Sequence, residues 1–212
     1  MPRPSRHLLA LALLTSSSAV LASPVINVEA GYTQLKIEQE MTSSQNRGGN
    51  VIAIEQNTYD VGSALRLGAE AVFESGEGLD WLLGASVVYS SDTEQDTEGT
   101  YLNSGARFYG VSALDDTWLL GLRGGLRWHH EILPALQLHA DAALSLNRLS
   151  TSYQDASTSP AESSDGYIAV DAALGLYYNF TPDFAAVLDA SGQFDNEYRN
   201  LQYTAGLRYS FR

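Results

Sequence analysis

The chain has 212 residues, no cysteine, and a formal charge of −13 from 25 acids against 12 Lys and Arg. That balance excludes a nucleic-acid partner, which needs a basic face, and the missing cysteines exclude disulfides and thiolate metal sites. Lys36 is the single lysine beside eleven arginines, and the planar arginine fork suits fixed, multidentate pairing better than mobile surface charge.

Met1 to Ala22 reads as a cleaved signal peptide: Arg3 and Arg6 make the positive region, Leu8 to Leu14 the apolar stretch, and Val20-Leu21-Ala22 the cleavage site. The apolar stretch is too short for a spanning helix, which needs ~20 residues. Cleavage leaves 190 residues carrying −15, the size of one domain, over 23–212. No later segment carries a long apolar run, as export past the inner membrane requires.

From Ile26 the residues alternate: Ile26, Val28, Ala30 and Tyr32 against Asn27, Glu29, Gly31 and Thr33. A period of two marks a strand with unlike faces. Past Gln34 the apolar parity passes to Leu35 and Ile37, so the strand is expected to leave the membrane there. Ser43 to Asn50 reads as a turn, and Val51 to Gln56 as a returning extension. Leu65 to Phe73 is the second strand, Trp81 to Tyr89 the third after a short turn at Ser75 to Gly78, and Ser91 to Thr117 a long acidic loop. Trp118 to Trp128 puts Gly121, Arg123, Gly125 and Arg127 on one face. Leu136 to Leu146 puts His139 and Asp141 there. A second long loop spans Ser150 to Gly166. Ile168 to Phe180 carries Asp171 and Gly175, Thr181-Pro182-Asp183 turns tightly, Phe184 to Ala190 carries Asp189, and Asp195 to Asn200 leads to the last strand.

Eight strands of about ten residues, with long and short connections alternating, predict an all-β, eight-stranded antiparallel up-and-down transmembrane barrel. Such closure leaves no unpaired edge in hydrocarbon. An even strand count puts both termini and the short turns on the periplasmic side, and the long loops outside. The aromatics agree. Phe73, Trp81, Trp128, Phe180, Phe184 and Phe211 adjoin short turns, whereas Tyr32, Tyr89, Trp118 and Tyr203 adjoin long connections; two girdles are expected at the two interfaces. A soluble lipocalin-like barrel is the alternative. It would turn the apolar face inward and the charges outward.

With the apolar face on lipid, the interior receives Glu29, Arg66, Glu70, Arg123, Arg127, His139, Asp141, Asp171, Asp189 and Arg208. A lumen this narrow is filled by side chains, so these charges are expected to form an ion-paired plug; a narrow conduit for small solutes is the sharper alternative. Centring the hairpin near Ile132 sets Arg123 opposite Asp141 and Gly125 opposite His139. His129 and His130 split across two faces near the periplasmic end, which disfavours both a shared metal and chemistry on outer-leaflet lipid. Asp92, Glu94, Asp96, Glu98 and Gly99 only faintly echo a calcium loop, because Gly follows the fourth acid and the closing Glu is missing. No catalytic residue, cofactor or metal is expected. Lys36, Arg47, Arg107, Arg148 and Arg199 lie in outer connections, where guanidinium groups suit lipopolysaccharide phosphates.

The last strand, Leu201 to Arg212, turns Tyr203, Ala205, Leu207, Tyr209 and Phe211 to lipid. Thr204, Gly206, Tyr209 and Phe211 resemble the C-terminal assembly signal of outer-membrane barrels, with Arg212 as an added residue. The mature chain as a whole resembles the small eight-stranded outer-membrane barrels: the outer-membrane protein A transmembrane domain, the protein X group and the opacity proteins. That resemblance implies a monomeric surface barrel in the outer membrane of a Gram-negative cell. Its partners would be outer-membrane lipid, lipopolysaccharide and the barrel-assembly machinery. A structural or surface-interaction role is implied, without a peptidoglycan-binding domain; a narrow pore and a lipid A-modifying enzyme are the alternatives.

Overall fold

The computed structural model describes residues 24–47, 50–75, 78–153 and 161–211; the expected signal peptide lies outside them. There are ten strand segments: β1 (Val25–Arg47), β2 (Asn50–Phe73), β3 (Leu79–Ser90), β4 (Thr93–Tyr101), β5 (Arg107–Leu114), β6 (Asp116–Leu133), β7 (Leu136–Tyr153), β8 (Ala161–Asn179), β9 (Phe184–Phe194) and β10 (Tyr198–Phe211). All neighbours are antiparallel, and β1 pairs with both β10 and β2, closing a ring in the order β1-β10-β9-β8-β7-β6-β3-β2. β3 runs on into β4 and β5 into β6 with only short breaks, so the ring holds eight long strands, three of them kinked.

The kinks share one level. Leu65, Tyr89 and Trp118 pair across β2, β3 and β6, and the next full row up is Val61, Thr93 and Leu114 on β2, β4 and β5. The buried residues flanking this level are Ala64, Ser90 and Thr117 below and Val61, Thr93 and Leu114 above. Each strand therefore steps by three residues instead of two between inward positions. An extra residue in a strand bends it and raises its twist; three side by side bend the sheet as a unit. Turn-forming Gly62-Ser63, Ser91-Asp92 and Asp115-Asp116 supply them.

Below the kinks the outward face is apolar: Leu67, Leu83, Leu122, Leu144 and Leu188 are each more than half exposed. The soluble alternative would bury these side chains. Above the kinks the polarity inverts. Leu35, Ile37, Tyr59, Val61, Leu114, Leu149 and Tyr198 form a buried cluster, while Lys36, Asp60 and Glu94 face out. On β1 the inward set stays odd-numbered from Asn27 to Gln39. The expected change of parity after Gln34 is thus a change of chemistry on unchanged faces, because beyond the bilayer water, not lipid, bathes the outside.

The long loops expected at 91–117 and 150–166 are largely strand. β4 and β5 form a hairpin in register from Thr93↔Leu114 to Thr100↔Arg107, and β7 pairs β8 as far as Tyr153↔Ala161. Acids at 94, 96 and 98 are the solvent side of β4, a period-two pattern that reads as strand. Together with the upper parts of β1 and β2, these hairpins raise a crown above the barrel. Much of the turn expected at 43–50 is likewise strand, up to Arg47; 48–49, 76–77 and 154–160 lie outside the described residues.

Candidate functional site: the charged lumen

The inward faces of β2, β6 and β7 bring four charges into a closed ring. Arg123 lies 3.0 Å from Glu70 and 3.4 Å from Asp141. Arg127 pairs with the same two carboxylates, donating from Nε and Nη2 to Asp141 at 2.7 Å and from Nη1 and Nη2 to Glu70. Each arginine touches both acids and each acid both arginines. Arg127, Glu70 and Asp141 are buried, and the Arg123 side chain is 19 % exposed. Beside the ring, Arg66 pairs with Glu29 at 3.1 Å, and Asn27 donates to Glu70 and accepts from Ser210.

His139 extends the network. Its ring nitrogens meet Asp141 (3.3 Å) and Asp189 (2.8 Å), and the ring stacks on Tyr177 at 4.3 Å. Gly175 makes this possible: a Cβ there would lie 1.8 Å from the Asp189 carboxylate and 2.3 Å from the His139 Nε2. Tyr177 is buried on the inner face of β8, the face that its parity with Asp171 and Gly175 predicts. It is the apolar wall on which Arg208 also rests, 4.1 Å above the ring, a favourable cation–π geometry.

Three expectations need correction. Arg123 faces Ser145 across β6 and β7, and Asp141 faces Arg127. The hairpin is centred near Pro134, two residues beyond Ile132, so Gly125 faces Ala143 and His139 faces His129. Arg123 nonetheless reaches Asp141, four residues along β7 from its own partner Ser145, because its long side chain runs along the lumen. Asp171 stands apart from the ion pairs: it accepts from Gln193 at 2.9 Å, and its other oxygen has no partner among the described residues. Arg208 contacts Ser210 and Tyr177 and is likewise outside the ring. Asp171 is level with Ala143 and Gly125, two residues from either arginine, and is taken instead by Gln193, its direct partner across β8 and β9.

Of the other histidines, His129 pairs with Asp80 at 3.0 Å, while exposed His130 stacks on Trp128. No cluster of three His, Asp or Glu among the described residues could hold a metal. Trp81, Trp118, Trp128, Phe180, Phe184, Tyr203, Phe211 and Tyr32 are exposed on the outer surface, with Phe73 and Tyr89 half-buried in it. Phe73 pairs Trp81 and Tyr89 pairs Trp118 across neighbouring strands. In the terminal strand Thr204 points inward to Thr33 (3.1 Å), Gly206 faces Gly31, and Tyr209 and Phe211 pack edge-to-face on the outside. Among the outer cations, Lys36, Arg107 and Arg199 already pair with Glu38, Glu55 and Glu40, and Arg148 donates to Ser164.

No known family's sequence profile matches the chain, and no curated protein does. Among solved structures, Neisserial surface protein A superposes with a TM-score of 0.51 at 16 % identity, over 88 % of this chain and 97 % of that one. The attachment invasion locus protein Ail of Yersinia pestis, solved with the heparin analogue sucrose octasulfate, gives 0.48 at 11 % identity over 90 % and 100 %. The outer membrane protein OprG of Pseudomonas aeruginosa gives 0.48 at 12 % over 90 % and 97 %. The likeness is one of fold: with the Neisserial protein this chain shares the antiparallel eight-stranded barrel of small outer-membrane proteins.

Proposed function

We propose that this protein is a non-enzymatic outer-membrane barrel, exported by a cleaved signal peptide, with a closed lumen and a structural or surface-interaction role exerted through its crown. The observation that carries the reading is the ring of Glu70, Arg123, Asp141 and Arg127 across the lumen. An ion passing through must part buried charge pairs, and removing one partner of such a pair costs ~3–5 kcal/mol. It must then cross the apolar layer of Leu35, Ile37, Val61 and Leu149, and apolar constrictions close pores by dewetting.

The absence of an enzymatic role is supported by His139, whose two ring nitrogens are both committed to carboxylates, so that it has no nucleophile to activate. Three of the outer cations that could grip lipopolysaccharide phosphates, Lys36, Arg107 and Arg199, are drawn into pairs with this chain's own acids, which favours contact with lipid through the aromatic girdles over phosphate recognition. Planar-bilayer recording tests the proposal. The purified protein should show no steady single-channel conductance, and a steady, ion-selective current would replace the closed barrel with a pore. Lipid A mass spectra should be the same with and without the gene; a changed acylation or phosphate pattern would point to an enzyme.

A further inference from the structure

The crown encloses a chamber of about 450 Å³ above the apolar layer, between the β1-β2-β4-β5 wall and the β7–β8 hairpin. Small-molecule sites fall in the range of ~300–1,000 Å³. Its floor is built. Tyr59 donates to the Gln39 side-chain oxygen (3.4 Å), Gln39 Nε2 contacts the Tyr198 hydroxyl (2.6 Å) and Asp165 (3.1 Å), and the Tyr198 hydroxyl donates to Asp165. This chain of bonds ties the two walls together under the space.

Above the floor Thr97 donates to Asn57 at 2.9 Å, and part of the remaining lining is uncommitted. Gln95, Ser112, Thr151 and Ser163 line the chamber, and their side chains bond to no other described residue. Amides and hydroxyls offer donors and acceptors side by side, as a sugar hydroxyl does. Tyr153, 38 % exposed at the rim, supplies a ring against which an apolar C–H face can lie. No lysine, arginine or histidine among the described residues lines the space, and Glu162 and Asp165 do. Phosphate, sulfate and carboxylate ligands would therefore meet repulsion with no counter-charge. An organic cation is served poorly too, because the Asp165 carboxylate is already taken by Gln39, Tyr198 and the Gly166 amide and Glu162 is exposed, where water screens its charge.

We propose that the chamber is a binding site for a neutral saccharide of one or two rings. The inference deepens the surface-interaction role and rests on the crown being outside the cell. The test is binding of the nanodisc-embedded protein to neutral glycans of one to three rings, as immobilised arrays and as free methyl glycosides, beside heparin, sialyllactose and spermidine. Saturable binding to neutral glycans is expected, weakened about tenfold or more by Gln95→Ala combined with Thr151→Val, since two hydrogen bonds are lost. Those two side chains bond to no other residue among those described, and unchanged heat-modifiable migration verifies that the variant is folded. Array binding identifies a surface glycan and binding of free glycosides alone a soluble sugar; either supports the site. No saturable binding to any neutral glycan, binding only to the charged probes, or full affinity in the variant would overturn it. Intact cells carrying a cysteine at Asn103 or Asp183 decide the orientation separately: labelling of Asp183 alone would overturn the outward crown without touching the pocket.

Discussion

Gly31 on β1 and Gly206 on β10 lie opposite each other at the seam where the first and last strands close the barrel. A Cβ on Gly31 would stand 2.4 Å from the Ala205 carbonyl oxygen, and one on Gly206 would stand 2.5 Å from that of Ala30. Both obstacles are backbone and cannot rotate away. Gly206→Ala and Gly31→Ala should each destabilise the closed barrel by ~1–3 kcal/mol, the range of overpacking, read as a lower urea midpoint. The pair also separates two accounts of the terminal strand. Gly206 lies in the run that resembles an assembly signal and Gly31 does not, so equal insertion defects assign Gly206 to closure. A defect confined to Gly206→Ala assigns it to recognition by the assembly machinery.

The row of extra residues at Gly62-Ser63, Ser91-Asp92 and Asp115-Asp116 makes a sharper demand. Deleting Ser63 restores the ordinary two-residue step between Ala64 and Val61, so Val61 and Tyr59 should stay in the crown's apolar cluster while β2 loses its bend beside neighbours that keep theirs. The crown should become protease-sensitive with the membrane barrel still heat-modifiable. Unchanged protection of the crown would show that the bulges are incidental to its packing.

What the sequence exposes here, and what it hides, has a physical pattern. Lipid on one side and a polar lumen on the other force a strict period of two, so the inward placement of Glu70, Arg123, Arg127, His139 and Asp141 is readable from alternation alone. Register is different. Sliding β7 along β6 by two-residue steps preserves every face, so Arg123–Asp141 and Arg127–Asp141 satisfy alternation equally, and the turn geometry around Pro134 chooses between them. The crown is hidden for another reason. Its strands invert the polarity rule at the kinks, and a segment such as Thr93 to Tyr101, polar outside and small inside, reads as loop. The chamber draws one to three residues from each of β1, β2, β4, β5, β7 and β8, which no local window connects.

The floor of the chamber should titrate late. Burial and its bond to the Asp165 carboxylate push the Tyr198 phenol above its ordinary value of ~10, and burial does the same to Tyr59. A folded-state value raised above the unfolded one favours the protonated phenol in the native crown. That stability is fully present below pH ~10 and is lost as the pH climbs through the folded values. Ultraviolet titration of the tyrosinate band should resolve a late class of tyrosines, and Tyr198→Phe should remove one of them. A single class near pH 10, with the crown still protease-resistant, would contradict the buried floor.

Arg127 and Asp141 are the pair on which the closed lumen turns. They face each other directly across β6 and β7, join through two bonds of 2.7 Å, and have side chains only 4 % and 0 % exposed. Arg127→Ala leaves Asp141 and Glu70 to share Arg123 alone and should cost up to ~3–5 kcal/mol. Arg123→Ala, at a half-wet position with longer contacts, should cost less. Asp141→Ala also releases His139, so its effect should exceed that of its ion pairs alone. A double-mutant cycle between Arg127 and Asp141 should show strong coupling, because the second removal strands no new charge. Conductance should stay negligible in the parent barrel and rise in Arg127→Ala, the variant that opens the ring while leaving Arg123 paired to Glu70 and Asp141. Independent, additive effects in urea together with unchanged conductance would mean that the ring neither holds the barrel together nor seals it.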